Sequence, residues 1–124
     1  MTTSIIADVE ESEEEIESKW KGYFVDNRYS AGGPANNKWY MDINMAFGNN
    51  HQFTATGSDE VGDFNFEDGK ITDGKVTFRK AYNSHNVYYE GEIKGTKLEG
   101  QWWLEDVPSI KGDWAMWPAT SADI

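Results

Sequence analysis

Tyr88-Tyr89-Glu90-Gly91-Glu92-Ile93-Lys94-Gly95-Thr96-Lys97-Leu98-Glu99-Gly100-Gln101-Trp102-Trp103-Leu104 is the stretch that decides the fold. Val87, Tyr89, Gly91 and Ile93 alternate with Tyr88, Glu90, Glu92 and Lys94. After Gly95-Thr96 the same alternation resumes at Leu98, Gly100, Trp102 and Leu104. Successive side chains of a strand point to opposite faces, so a period of two marks a sheet with one buried face. Two such runs around a tight Gly-containing turn read as a hairpin. An isolated hairpin is marginal in water, so the rest of the chain must supply partners.

It does so on both sides. Trp20, Gly22 and Phe24 alternate with Lys21 and Tyr23, and Trp39, Met41, Ile43, Met45 and Phe47 form the cleanest apolar face of the chain. Phe53, Ala55 and Gly57 follow the Gly48-Asn49-Asn50 turn, and Phe64 and Phe66 follow the turn at 58–62. Asp68-Gly69 and Asp73-Gly74 read as turn dipeptides flanking a short link. Val76, Phe78, Lys80 and Tyr82 precede a turn at 83–86, and Trp114 and Met116 make the last strand after Lys111-Gly112.

Eight candidate strands joined by short turns, with no long crossover, favour sequential antiparallel pairing. The expected fold is a single all-β, eight-stranded antiparallel up-and-down barrel, which closes on itself and leaves no open edge; a sandwich of the same strands is the second choice. The barrel is placed at residues 19–118, after an acidic extension over 1–18 and before a short tail at 119–124. In the extension, Asp8, Glu10, Glu11, Glu13, Glu14, Glu15 and Glu17 repel one another, which predicts disorder or a short frayed helix.

The 124 residues suit one domain. With 22 Asp and Glu against 11 Lys and Arg, the formal net charge is −11. That excludes nucleic acid and an anionic membrane surface as expected partners, since both demand clustered cations. The absence of Cys removes disulfides, thiolate metal sites and Cys nucleophiles. No signal-peptide pattern and no apolar run long enough to span a bilayer are present, so a soluble cytoplasmic protein is expected.

Catalytic and cofactor motifs are missing. There is no Gly-x-Ser-x-Gly elbow and no pair of His at i and i+4; His51 and His85 both fall in turns. The run from Asp63 to Gly69 starts like a calcium loop, but Asp68 stands where the loop needs Gly, and Gly74 where it needs Glu. Gly32-Gly33-Pro34 lacks the Lys-Ser/Thr pair of a phosphate loop. No cofactor or metal is expected. Lys80 stands out, because it is in phase with the inner face. It must pair with an interior acid or ligand, or sit at a barrel rim where it reaches water; the rim is the expectation.

The aromatics divide by strand parity. Trp20, Trp39, Tyr89, Trp102 and Trp114 are inward, and Tyr23, Tyr40, Tyr88, Trp103 and Trp117 are outward. Inward rings are core, or the walls of a ligand cup. Outward rings suggest a protein or oligomer contact, unless Ile5, Ile6 and Val9 of the extension cover some of them.

Two resemblances rest on particular residues. Glu90-Gly91-Glu92 leading to Gly100-Gln101-Trp102-Trp103-Leu104 is similar to the penultimate hairpin of avidin and streptavidin, and Trp20-Lys21-Gly22-Tyr23 is similar to their first strand. The likeness implies an avidin-like or lipocalin-like meander barrel, and it implies that Trp102 lines a pocket, as the aligned Trp lines the biotin pocket of that family. The chain lacks a recognisable Ser- and Asn-bearing loop of the kind that grips biotin, and it carries Gly112-Asp113-Trp114 in place of the family's terminal-strand motif. The order Gly22-Tyr23, Met41-Asp42-Ile43, the run 57–64, Val76-Thr77-Phe78, Tyr89-Glu90-Gly91, Gly100-Gln101-Trp102 and Gly112 also resembles small barrel domains without assigned chemistry.

The function expected first is non-catalytic: a protein-interaction or assembly module whose partner, another protein or a second copy, docks on Tyr40, Tyr88, Trp103 and Trp117. The alternative is a carrier of a small apolar or aromatic ligand inside the barrel, held by Trp39, Tyr82, Tyr89, Trp102 and Lys80. An isomerase or lyase using His85, Lys80 and a carboxylate in one cleft ranks third.

Overall fold

The computed structural model describes residues 16–29 and 37–120. Residues 1–15, 30–36 and 121–124 are not described, and most of the acidic extension and of the tail lies there. Eight strands close into an antiparallel barrel in chain order, β1 to β8. They are β1 (Ile16–Val25), β2 (Lys38–Phe47), β3 (Gln52–Ser58), β4 (Asp63–Thr72), β5 (Lys75–Tyr82), β6 (Asn86–Lys94), β7 (Lys97–Leu104) and β8 (Lys111–Pro118). A 3-10 turn, Asn27–Tyr29, follows β1. No helix among the described residues is long and apolar enough to cross a membrane.

The register follows from the alternation. Val87 to Lys94 pairs with Lys97 to Leu104 residue for residue, so Tyr89 faces Trp102 on the inside and Tyr88 faces Trp103 on the outside. Closure is made by β1 and β8, with Trp20 opposite Pro118 and Phe24 opposite Trp114. β1 begins at Ile16, earlier than the boundary expected at residue 19, because Ile16 to Lys19 extend the ladder against Phe47 to Asn44.

Asp68-Gly69 is not a turn. It is a β-bulge inside β4, where Asp68 and Gly69 together stand opposite Phe78, between the pairs Glu67–Arg79 and Lys70–Thr77. Asp68 takes a positive φ of 55°. Such an insertion bends a strand without ending it. The sequence signal is the same as for a turn, since both need a residue that tolerates positive φ.

Strand glycines make room for one ring. Gly91 and Gly100 face each other across β6 and β7. A Cβ at Gly91 would lie 2.8 Å from the Trp114 ring. Trp114 therefore lies over bare backbone, and its Nε1 donates to the carbonyls of Glu90 and Gln101 at 3.1 and 3.0 Å.

The even-numbered and odd-numbered turns lie at opposite ends of the barrel. At the end that carries the β2–β3, β4–β5 and β6–β7 turns, the interior is filled by Trp20, Met45, Phe47, Val76, Leu98 and Met116, all nearly or fully buried. Phe66, Phe78 and Tyr89 stack above them, with Phe78 centred 4.3 Å from Phe66 and 4.7 Å from Tyr89. Met41, Phe64 and Lys80 form a further buried layer toward the other end.

Candidate functional site

Beyond these side chains the barrel opens into a cup of about 400 Å³, at the end that carries Asp26, Arg28 and the 59–62, 83–85 and 105–110 connections. Its wall carries Phe24, Trp39, Tyr82, Val87, Tyr89 and Trp102. Each stands in phase with its strand's inner face, so alternation alone places it there. Phe24 and Trp39 lie nearly parallel, 9° apart with centroids at 6.2 Å, and Trp102 meets Phe24 edge-on at 84°. The Trp102 Nε1 is spent on the Val25 carbonyl at 3.1 Å.

Charged groups around the cup are already neutralised. Asp26 is buried and accepts from Arg28 twice, Nε to Oδ1 at 3.0 Å and Nη2 to Oδ2 at 2.7 Å. His85 stacks on Tyr82 at 4.8 Å, and its Nδ1 is engaged with Ser84 Oγ at 2.8 Å.

Lys80 does not sit at a rim. Its side chain is 0% exposed, behind the cup wall. Its Nζ donates to Asp59 Oδ2 at 2.7 Å and lies 4.4 Å from the Phe24 ring, 4.3 Å from Phe64 and 4.7 Å from Tyr82. The rim expectation fails because Asp59, on the β3–β4 turn, folds inward and supplies the interior acid that a buried ammonium requires. Burial lowers the Lys80 pKa to about 8 from 10.5, against the opposing pull of Asp59.

Asp59 is the residue that sequence reasoning missed. Oδ2 accepts from Lys80 and from the Tyr82 hydroxyl at 2.6 Å, while Oδ1 accepts from the backbone N–H of Val61 at 2.8 Å and of Gly62 at 3.3 Å. Four donors on one carboxylate saturate it. Gly62 closes this turn at a φ of 150°, a conformation that suits glycine. The signal was present in Asp59-Glu60-Val61-Gly62, an Asx-turn pattern at the end of the barrel where Lys80 lies.

Of the residues expected to hold a ligand, Trp39, Tyr82, Tyr89 and Trp102 converge on the cup, and Lys80 stands behind it. Those expected to form an interface are outward and split in two. Tyr40 and Trp117 flank Tyr23, each centred 6.1 Å from it, while Tyr88 and Trp103 pair 6.1 Å apart on β6 and β7. Tyr40 is 64% exposed and Tyr88 36%. His51, in the β2–β3 turn, is at the end opposite His85, so the two histidines do not meet.

A larger hollow of about 740 Å³ lies on the outer wall, with Glu90, Glu92, Glu99, Asp113, Tyr23 and Trp103 among its residues. It is an open groove between solvated side chains on a convex wall. The cup is the better candidate site because rings surround it on several strands and its charges are internally matched.

The fold and the cup together define a closed eight-stranded up-and-down barrel with an aromatic mouth. No family model, curated protein or solved structure matches the chain.

Proposed function

We propose that this barrel binds a small, mainly apolar molecule in its aromatic cup, without transforming it. The observation that carries this reading is the change along one interior: filled at one end and through the layer of Phe64 and Lys80, and open at the other in a mouth ringed by aromatic side chains. At about 400 Å³ the cup is within the roughly 300–1,000 Å³ usual for small-molecule sites. The avidin likeness agrees at one position, Trp102, which lines the cup. It does not extend to biotin, because the chain lacks the Ser- and Asn-bearing loop. Titration with an uncharged naphthalene, followed by tryptophan fluorescence, tests the reading: saturable quenching that Trp39→Ala and Trp102→Ala weaken supports it, and no saturable change in the parent protein refutes it.

A second reading rests on a different observation. The exposed Tyr40 and the half-buried Tyr23 and Trp117 form an aromatic group across β1, β2 and β8, which fits a protein contact. Sedimentation of the chain checks the self-association version. A monomer at all concentrations up to about 1 mM, where even weak millimolar contacts become visible, counts against it.

A further inference from the structure

Tyr89 and Tyr82 both line the cup, yet their hydroxyls are engaged differently. The Tyr82 hydroxyl donates a hydrogen bond to Asp59 Oδ2 at 2.6 Å. Tyr89 is 2% exposed, lines the cup, and its hydroxyl bonds to no described residue. The hydroxyl is not a fully enclosed atom, so it stays available to a guest in the cup. Asp59 cannot accept from it as well, because its four acceptor directions are filled by Lys80, Tyr82, Val61 and Gly62. Burial and the Asp59 charge both hold the Tyr89 phenol protonated. Tyr89 thus offers a donor to the cup and cannot readily offer an anion.

The cup's charged neighbours restrict the guest further. Asp26 is matched by Arg28 and Lys80 by Asp59, each at 2.7 Å. A charged guest would lose its water without gaining an unmatched counter-charge, whereas an uncharged one avoids that penalty. Phe24, Trp39 and Trp102 supply aromatic surface to the cup, which favours an aromatic body.

We propose that the ligand is an uncharged, planar molecule carrying an acceptor oxygen, and that Tyr89 is the specificity residue that donates to that oxygen. This rests on the cup being the ligand site. The assignment separates Tyr89 from Tyr82, which belongs to the carboxylate network, and it goes beyond a general preference for apolar guests.

The test uses probes of matched shape, 2-acetylnaphthalene and 2-ethylnaphthalene, titrated into the full chain and into Tyr89→Phe. The expected result is that Tyr89→Phe weakens the acetyl probe by about 3–10-fold, the worth of one net hydrogen bond, and leaves the ethyl probe unchanged. 2-Naphthoate should bind at least about tenfold more weakly than the acetyl probe, since its charge must be desolvated without a counter-ion. Infrared spectra give a readout independent of the variant's folding: the carbonyl stretch of bound 2-acetylnaphthalene should lie below its value in cyclohexane. If both neutral probes bind and Tyr89→Phe affects them equally, or the stretch matches cyclohexane, the assignment of Tyr89 is overturned while the cup remains a binding site. Tighter binding of 2-naphthoate overturns the uncharged class. If neither neutral probe binds the parent protein, the cup reading itself falls.

Discussion

Toward the β2–β3 turn the barrel is filled by Trp20, Met45, Phe47, Leu98 and Met116, without a charged side chain among the buried described residues. Toward the β3–β4 turn the same strands surround a cup, and both buried charged residues, Asp26 and Lys80, lie beside it. The contrast shows what each half is built to tolerate. Apolar filling is stabilised by area removed from water and by close packing, so it fails when volume is lost. The cup end is held by saturated hydrogen bonds around Asp59, so it fails when one partner is removed.

That difference can be broken first at Asp59. Asp59→Ala strands the Lys80 ammonium among rings, and a loss of about 3–5 kcal/mol is expected in urea unfolding. A loss below about 1 kcal/mol, the value typical of exposed ion pairs, would show that the network is not structural. Phe78→Ala in the packed half should cost a comparable amount, about 3–5 kcal/mol, whereas Trp39→Ala on the half-open wall should cost about 1–2 kcal/mol and act mainly on binding. Equal stability losses at Phe78 and Trp39 would erase the distinction between the halves.

The pH dependence sharpens the comparison. Lys80 is lowered to about 8 when folded against 10.5 for an ordinary Lys, so between those values the unfolded chain holds more protons. Stability from this group should therefore rise as pH increases from about 8 toward 10, by on the order of 2 kcal/mol. Above 10 the trend should reverse, because Tyr82 and Tyr89 are both raised and the unfolded phenols ionise first. Lys80→Met should flatten the rise in denaturation midpoints between pH 8 and 10; a rise that survives the substitution would assign it elsewhere. Tyr82→Phe removes one of four donors to Asp59, for an expected loss of about 1 kcal/mol. Tyr40→Ala, on the outer wall, should change stability by no more than about 0.5 kcal/mol, and any larger effect should be in association.

The walls of the barrel were legible in the sequence because alternation is a local property: Trp39, Tyr82, Tyr89 and Trp102 reach the cup through strand phase alone. Lys80 was legible as an anomaly but not as an ion pair. Its partner comes from a turn 21 residues earlier, and turn side chains carry no period from which direction can be read. Asp68-Gly69 was misread for a related reason, since a bulge and a turn ask for the same residue types and differ only in whether the partner strand continues. The outward rings were placed on the correct face, but their division into a β1–β2–β8 group and a β6–β7 pair depends on closure.

The seam between β1 and β8 has a kinetic consequence. Every other strand pair in the barrel joins sequence neighbours, and only this pair brings the first strand against the last. Hairpin pairings close short loops quickly, whereas the seam must close a loop containing nearly the whole barrel. Annealing of Trp20–Phe24 against Trp114–Pro118 is thus the expected late event on the folding path. A circular permutant that joins β8 to β1 and opens the chain at the 95–96 turn would convert that pairing into a local one and make β6–β7 the seam instead, so the late event should move to β6–β7 while the cup is kept.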